Sequence, residues 1–97
     1  MRIADKSMKD LLQIPGVGKS IAQDFLSIGI KSMQDLKGKN PETLYRLVNE
    51  KKGIVQDRCL LYVFRCAVYY ASTAKSIQHP DRLKWWNWTD AKTSREN

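Results

Sequence analysis

Apolar residues recur along this 97-residue chain at spacings of three and four, and no stretch alternates apolar and polar at every second position. That period is helical, so the pattern predicts an all-α protein. Met8, Leu11 and Leu12 form a first stripe, with Ser7 as candidate cap of a helix running to about Gln13, where Pro15 and Gly16 stop it. A second helix is expected over about 19–27, with Ile21, Ala22, Phe25 and Leu26 on one side and Gln23 and Asp24 on the other. Gly29 is placed to end it in the left-handed conformation, and Ser32 with Asp35 three positions later predicts a capping box for a brief helix that ends by Gly38. Asn40 followed by Pro41 is a helix start, carrying Leu44, Leu47 and Val48 to about Glu50, with Gly53 closing it. Asp57 caps the longest helix, RCLLYVFRCAVYYAS, which is apolar on most of its circumference and belongs at the centre of the domain.

After Ala74 the pattern weakens until His79-Pro80-Asp81, which starts a short helix bearing Leu83, Trp85 and Trp86. The expected architecture is a compact bundle of five short helices, two helix-turn-helix pairs around one core, with a small C-terminal helical cap. Ninety-seven residues suffice for one core only, so residues 1–90 read as a single domain and 91–97, AKTSREN, as a disordered tail. The second joint, KKGIVQD, reads as a worn copy of the first, since both place a glycine and a branched apolar residue ahead of a helix start.

Charge adds a partner class to that picture. Ten basic residues against six acidic ones in 1–53, and seven against four in 54–97, leave a net +7 spread over both halves. A surface that positive attracts polyanions, and nucleic acid leads among them. The longest apolar run, CLLYVFRCAVYYA, is too short for a bilayer and carries Arg65, and the N-terminus lacks the apolar core of a secretory signal, so a cytoplasmic protein without membrane contact is expected. Cys59 and Cys66, seven residues apart on one helix, lie about 10 Å apart along its axis, too far for a disulfide. Neither has a histidine near in sequence and His79 stands alone, so no side-chain metal site and no enzyme activity is expected.

IPGVGKSIA, residues 14–22, carries the remaining chemistry. Its GKS invites comparison with the phosphate-binding loop G-x-x-x-x-G-K-[ST], but Gln13 stands where the first glycine is required, and a helix rather than a strand precedes it. Nucleotide hydrolysis is therefore excluded. What the residues support is an anion site made of backbone: Gly16 and Gly18 free successive N–H groups at the positive end of a helix, Lys19 adds charge, Ser20 adds a hydroxyl, and Val17 tucks into the core with Ile14. On the fifth helix Arg58, Tyr62, Arg65 and Tyr69 share one narrow face, which suits either phosphates or the wet edge of a buried helix. The tryptophans of WWNW, Trp85, Trp86 and Trp88, suit either the last plug of a small core or, if exposed, a protein contact surface.

LLQIPGVGKSIAQDFLSIGI resembles the helix-hairpin-helix motif, an apolar helix, a glycine-hydrophobe-glycine hairpin, then a helix with alanine four positions after the second glycine. The resemblance implies a bundle of two helix-hairpin-helix-like pairs that binds the sugar-phosphate backbone of DNA, taken as double-stranded, without reading its sequence. It implies amide donors at Gly16, Gly18, Ser20 and Ile21, with Lys19 beside them, and in some members a K+ or Na+ ion at hairpin carbonyls, here those of Leu12, Ile14 and Val17. No other cofactor is implied. The longer pattern, IPGVGKSIAQDF, PETLYRL, DRCLLYVFRCAVYYAS and LKWWNWTD, is similar to a bacterial family labelled for a pathogenicity locus, with relatives labelled for mitomycin resistance. The expected function is a non-sequence-specific DNA-binding module using residues 16–21 with Arg58 and Arg65. The alternative is a protein-interaction or scaffold module in which the hairpin is structural and the tryptophans make the contact.

Overall fold

A computed structural model describes residues 3–91; of the expected tail, 91–97, Ala91 is helical and residues 92–97 lie outside the described residues. Five α-helices follow one another, α1 (Ile3–Leu12), α2 (Lys19–Ser27), α3 (Met33–Leu36), α4 (Pro41–Lys52) and α5 (Arg58–Ser72). Three single 3-10 turns, Lys75–Ile77, Pro80–Leu83 and Trp85–Trp88, complete the order, and the described residues contain no strand. The all-α bundle with a small C-terminal cap is thus as the periodicity implied.

The core forms where the apolar stripes meet. Phe25 of α2 stacks on Phe64 of α5 with ring centroids 4.7 Å apart, and Leu11, Leu36, Val48 and Leu61 close around them with no exposed surface. α5 is the hub, packing against α3, α4 and the last two 3-10 turns, while α1 packs on α2 and α2 on α4. Ala22 is fully buried at the α2 contact, where a larger side chain would hold the helices apart.

The helix ends show which local signals were read correctly. Asn40 Oδ1 accepts from the amides of Glu42 at 2.9 Å and Thr43 at 3.3 Å, with Pro41 in the first helical position. Past α2, Gly29 has φ +89°, its N–H reaches the Leu26 carbonyl, and Ile30 N–H reaches the Phe25 carbonyl at 2.9 Å. This is a Schellman motif, and it turns Ile30 into the core. Three expectations are corrected. Asp57 stands at the N-cap of α5 but makes no side-chain cap hydrogen bond. Ser7 does not cap α1, which begins at Ile3; it sits buried in the helix interior, where serine is tolerated nearly as well as other polar residues. Ser32 makes no side-chain cap either. The Asp35 carboxylate accepts from Lys31 N–H at 2.9 Å, one residue before the expected position, and Asp10 of α1 reaches across to accept from Met33 N–H at 2.7 Å. A tertiary partner thus replaces the local one.

The two joints differ more than their sequences do. Val17 of the first is buried beside Ile14, whereas Ile54 and Val55 of the second are 67% and 76% exposed. The reason lies in polar anchoring: Asn49 Oδ1 accepts from Gln56 N–H at 2.8 Å, and the Tyr45 hydroxyl donates to the Gln56 carbonyl. Gln56 is held against α4, and the two apolar residues before it bulge outward.

Candidate functional site: the glycine loop and its cleft

Between α1 and α2 the chain reverses over residues 13–18. Val17 N–H donates to the Ile14 carbonyl at 3.1 Å, closing a turn in which Gly16 has φ +85°. That conformation disfavours any side chain, and a Cβ on Gly16 would stand 3.1 Å from Cδ1 of Trp85. Gly18 is a different case. It is the N-cap of α2 with φ −96° and ψ −173°, ordinary extended backbone, and a Cβ built on it would meet nothing within 4 Å. Nothing inside the fold requires glycine there.

The amides around it are equally open. Gly18 offers no side-chain cap, and among the described residues the N–H groups of Gly16, Gly18, Lys19, Ser20 and Ile21 have no acceptor, whereas that of Val17 is taken by Ile14 and that of Ala22 donates to the Gly18 carbonyl at 2.9 Å. Gly16, Gly18, Lys19 and Ser20 are exposed, so these donors face solvent at the positive end of a nine-residue helix. Residues 16–21 are therefore brought together as expected, Val17 serving as the buried anchor. Of the carbonyls considered for a monovalent cation, that of Ile14 already accepts the Val17 N–H.

Arg58 and Arg65 do not line the cleft beside the loop; both are engaged in ion pairs with other segments. Arg65 is nearly buried, its side chain 10% exposed, and all its nitrogens are engaged: Nε and Nη2 on Glu42, Nη2 on Asp90 at 2.9 Å, and Nη1 on the Trp88 carbonyl at 2.8 Å. Arg58 grips both oxygens of Asp90, at 2.8 and 2.7 Å. The Arg58 hydrogen bonds, then those from Arg65, hold the Asp90 carboxyl below the usual carboxylate range. These arginines fasten the C-terminal turns to α5. At 100° per residue they also stand roughly 100–160° around α5 from Cys59, Leu60 and Val63, which line the cleft beside the loop.

What faces the loop instead is an open cleft of about 400 Å³. Gly16, Ser20, Ile21 and Asp24 line it from the loop and α2, Lys52 from the end of α4, Gln56 and Asp57 with Cys59, Leu60 and Val63 from the start of α5, and Trp85 from the C-terminal turns. Lys52 Nζ pairs with Asp24 Oδ1 at 3.0 Å, joining α4 to α2 within this cleft. Trp85, Lys52, Asp57 and Cys59 were not associated with the loop by sequence reasoning, because they come from three later segments and carry no shared local pattern. The tryptophans divide in role: Trp85 packs on the core and on Gly16, Trp88 packs near Tyr69 with its Nε1 donating to the Arg82 carbonyl, and Trp86 is 52% exposed.

Among the described residues no group of three or more His, Cys, Asp or Glu side chains is placed to hold a metal. No helix among them is long and apolar enough to cross a membrane. His79 uses Nδ1 to accept from Asp81 N–H at 3.2 Å, capping the turn that Pro80 begins. Cys66 is buried and its thiol is pushed up to about 11 by desolvation, whereas Cys59 is exposed.

Fold and site thus define a small all-α protein with an unsatisfied glycine loop at a helix start and an ion-paired C-terminal cap. The chain belongs to the pathogenicity-locus family Cdd1, whose pattern it matches over residues 4–94. It is also similar to the mitomycin resistance protein McrB of Streptomyces lavendulae, with 34% identity over 80 residues covering 82% of this chain and 70% of that one. No solved structure matches.

Proposed function

We propose that this protein is a non-sequence-specific DNA-binding module of the helix-hairpin-helix kind, holding a backbone phosphate at the free amides of Gly16, Gly18, Lys19, Ser20 and Ile21. Gly18 carries the reading. Its backbone angles suit any residue and the space before it is empty, so the value of a missing side chain lies outside the chain, in letting another molecule approach the amides closely. A phosphate oxygen satisfies several such donors at once and is favoured by the helix dipole. The net +7 charge draws a polyanion to the surface, and Lys19 stands exposed beside the amides. Arg58 and Arg65 take no part.

The test is a titration of labelled DNA at two salt concentrations with wild type and with Gly18→Val, whose fold is checked by circular dichroism. Loss of charge-assisted hydrogen bonds predicts binding weaker by roughly tenfold or more for the variant. Lys19→Ala is expected to weaken binding modestly and flatten the salt dependence. Equal binding by wild type and a well-folded Gly18→Val would remove the loop from the mechanism. The scaffold reading draws on the exposed Ile54, Val55 and Trp86, and it gains if wild type binds no DNA at low salt.

A further inference from the structure

The cleft beside the loop has a chemistry of its own. Trp85 lies directly against the backbone of Gly16, so an indole and the loop amides are immediate neighbours. Ile21, Leu60 and Val63 supply apolar wall, and Ser20 and Asp57 supply polar groups. The charge balance within it is unfavourable to an anion: Asp24 and Asp57 face a single lysine, Lys52, which is already paired with Asp24. Asp57 makes no side-chain cap hydrogen bond to α5 and is exposed, leaving a carboxylate as an acceptor for an incoming N–H group. A second phosphate is therefore repelled, while a flat, neutral ring carrying amino donors is matched in both its face and its edge.

We infer that the cleft takes a nucleobase, unstacked from its strand and lying against Trp85, so that the ligand is single-stranded or frayed nucleic acid rather than a closed duplex. The inference rests on the phosphate reading of the loop, and it turns on adjacency: Gly16 and Ser20 belong to both the loop and the cleft wall. Base stacking on an aromatic side chain combined with backbone contact is the general mode of single-strand binding. A base inside a duplex is stacked on both faces and presents none to an indole at the protein surface.

The experiment varies the ligand and leaves the protein intact. Fluorescence anisotropy at low salt is measured with a labelled single strand of mixed sequence, a strand of equal length made of abasic nucleotides, and the corresponding duplex. The single strand is expected to bind tightest, with the abasic strand weaker by roughly tenfold, the effect of losing one stacked base. Alkylation of the exposed Cys59 with a bulky reagent, with the fold verified by circular dichroism, is expected to erase the difference between base-bearing and abasic strands by obstructing the cleft. Ile77→Ala, at an exposed apolar residue outside the cleft, is expected to preserve the difference. Equal affinity for abasic and base-bearing strands, tighter binding of the duplex, or loss of base preference in Ile77→Ala would overturn the inference. The first of these, with salt-sensitive binding retained, leaves the phosphate reading standing. Absence of binding to all three ligands overturns both.

Discussion

Alanine at Gly16 and alanine at Gly18 test two glycines that look equivalent in the sequence. At Gly16, with φ +85°, an L-residue costs roughly 1–2 kcal/mol in backbone strain. Its methyl group would also sit 3.1 Å from Trp85 Cδ1, forcing the indole to shift by a few tenths of an ångström. At Gly18 the backbone is extended and the methyl group meets nothing within 4 Å. The stiffer unfolded chain there contributes about 0.4–1 kcal/mol of stability, offset by alanine's weaker N-cap preference, a loss of about 1 kcal/mol or less. Gly18→Ala should therefore lie close to wild type. Gly16→Ala should fall below it by about 1–2 kcal/mol, which in a domain of this size is roughly 5 to 15 °C in melting temperature. Thermal unfolding followed by far-UV circular dichroism, with urea midpoints as a second measure, reads the difference directly. Equal melting temperatures for the two variants, or a less stable Gly18→Ala, would refute the division of one structural and one externally required glycine.

Three further outcomes are expected. Asn40→Ala removes the acceptor for Glu42 and Thr43 amides and should cost about 1 kcal/mol in urea unfolding, because no neighbouring side chain caps α4 in its place. Asp90→Asn should loosen the C-terminal turns at neutral pH, seen as a rise in tryptophan quenching by acrylamide. The wild-type carboxyl is held below its usual range in the folded protein, so its contribution is full above the unfolded value, about 4, and is lost as pH falls through the folded value. The difference between wild type and Asp90→Asn should therefore vanish in acid. Thiol alkylation of the native protein should label Cys59 alone, since Cys66 is buried with its thiol raised to about 11; Cys59→Ser should abolish native labelling, and labelling of Cys66 before unfolding would contradict its placement.

Much of the fold was legible because its signals are local. Spacings of three and four residues put Phe25, Leu44, Val48, Leu61 and Phe64 on inward faces, and glycine, asparagine and proline marked the helix ends. The start of α1 escaped because serine is compatible with both a cap and a helix interior. The cap of α3 escaped because its partner, Asp10, is twenty-three residues away. The copy relation between KKGIVQD and the first loop fails in the turn itself, where hydrogen bonds to Asn49 and from Tyr45 hold Gln56 and push Ile54 and Val55 outward.

By itself the sequence determined the helices, the central place of α5, and the glycine loop with its open amides, since each depends on residues within a few positions of one another. It also determined the net charge of +7. Only the tertiary structure decided where that charge is spent. Arg58 and Arg65 share a face with the right period for a phosphate contact, yet Glu42 and Asp90 neutralise them, because carboxylates from two other segments fold within hydrogen-bonding distance. Likewise Trp85, sixty-nine residues from Gly16 along the chain, reaches the loop only when α5 carries the C-terminal turns back over it. Long-range packing chooses among faces that local chemistry leaves equal: here it ties the arginine stripe into ion pairs and sets a cleft beside the glycine loop.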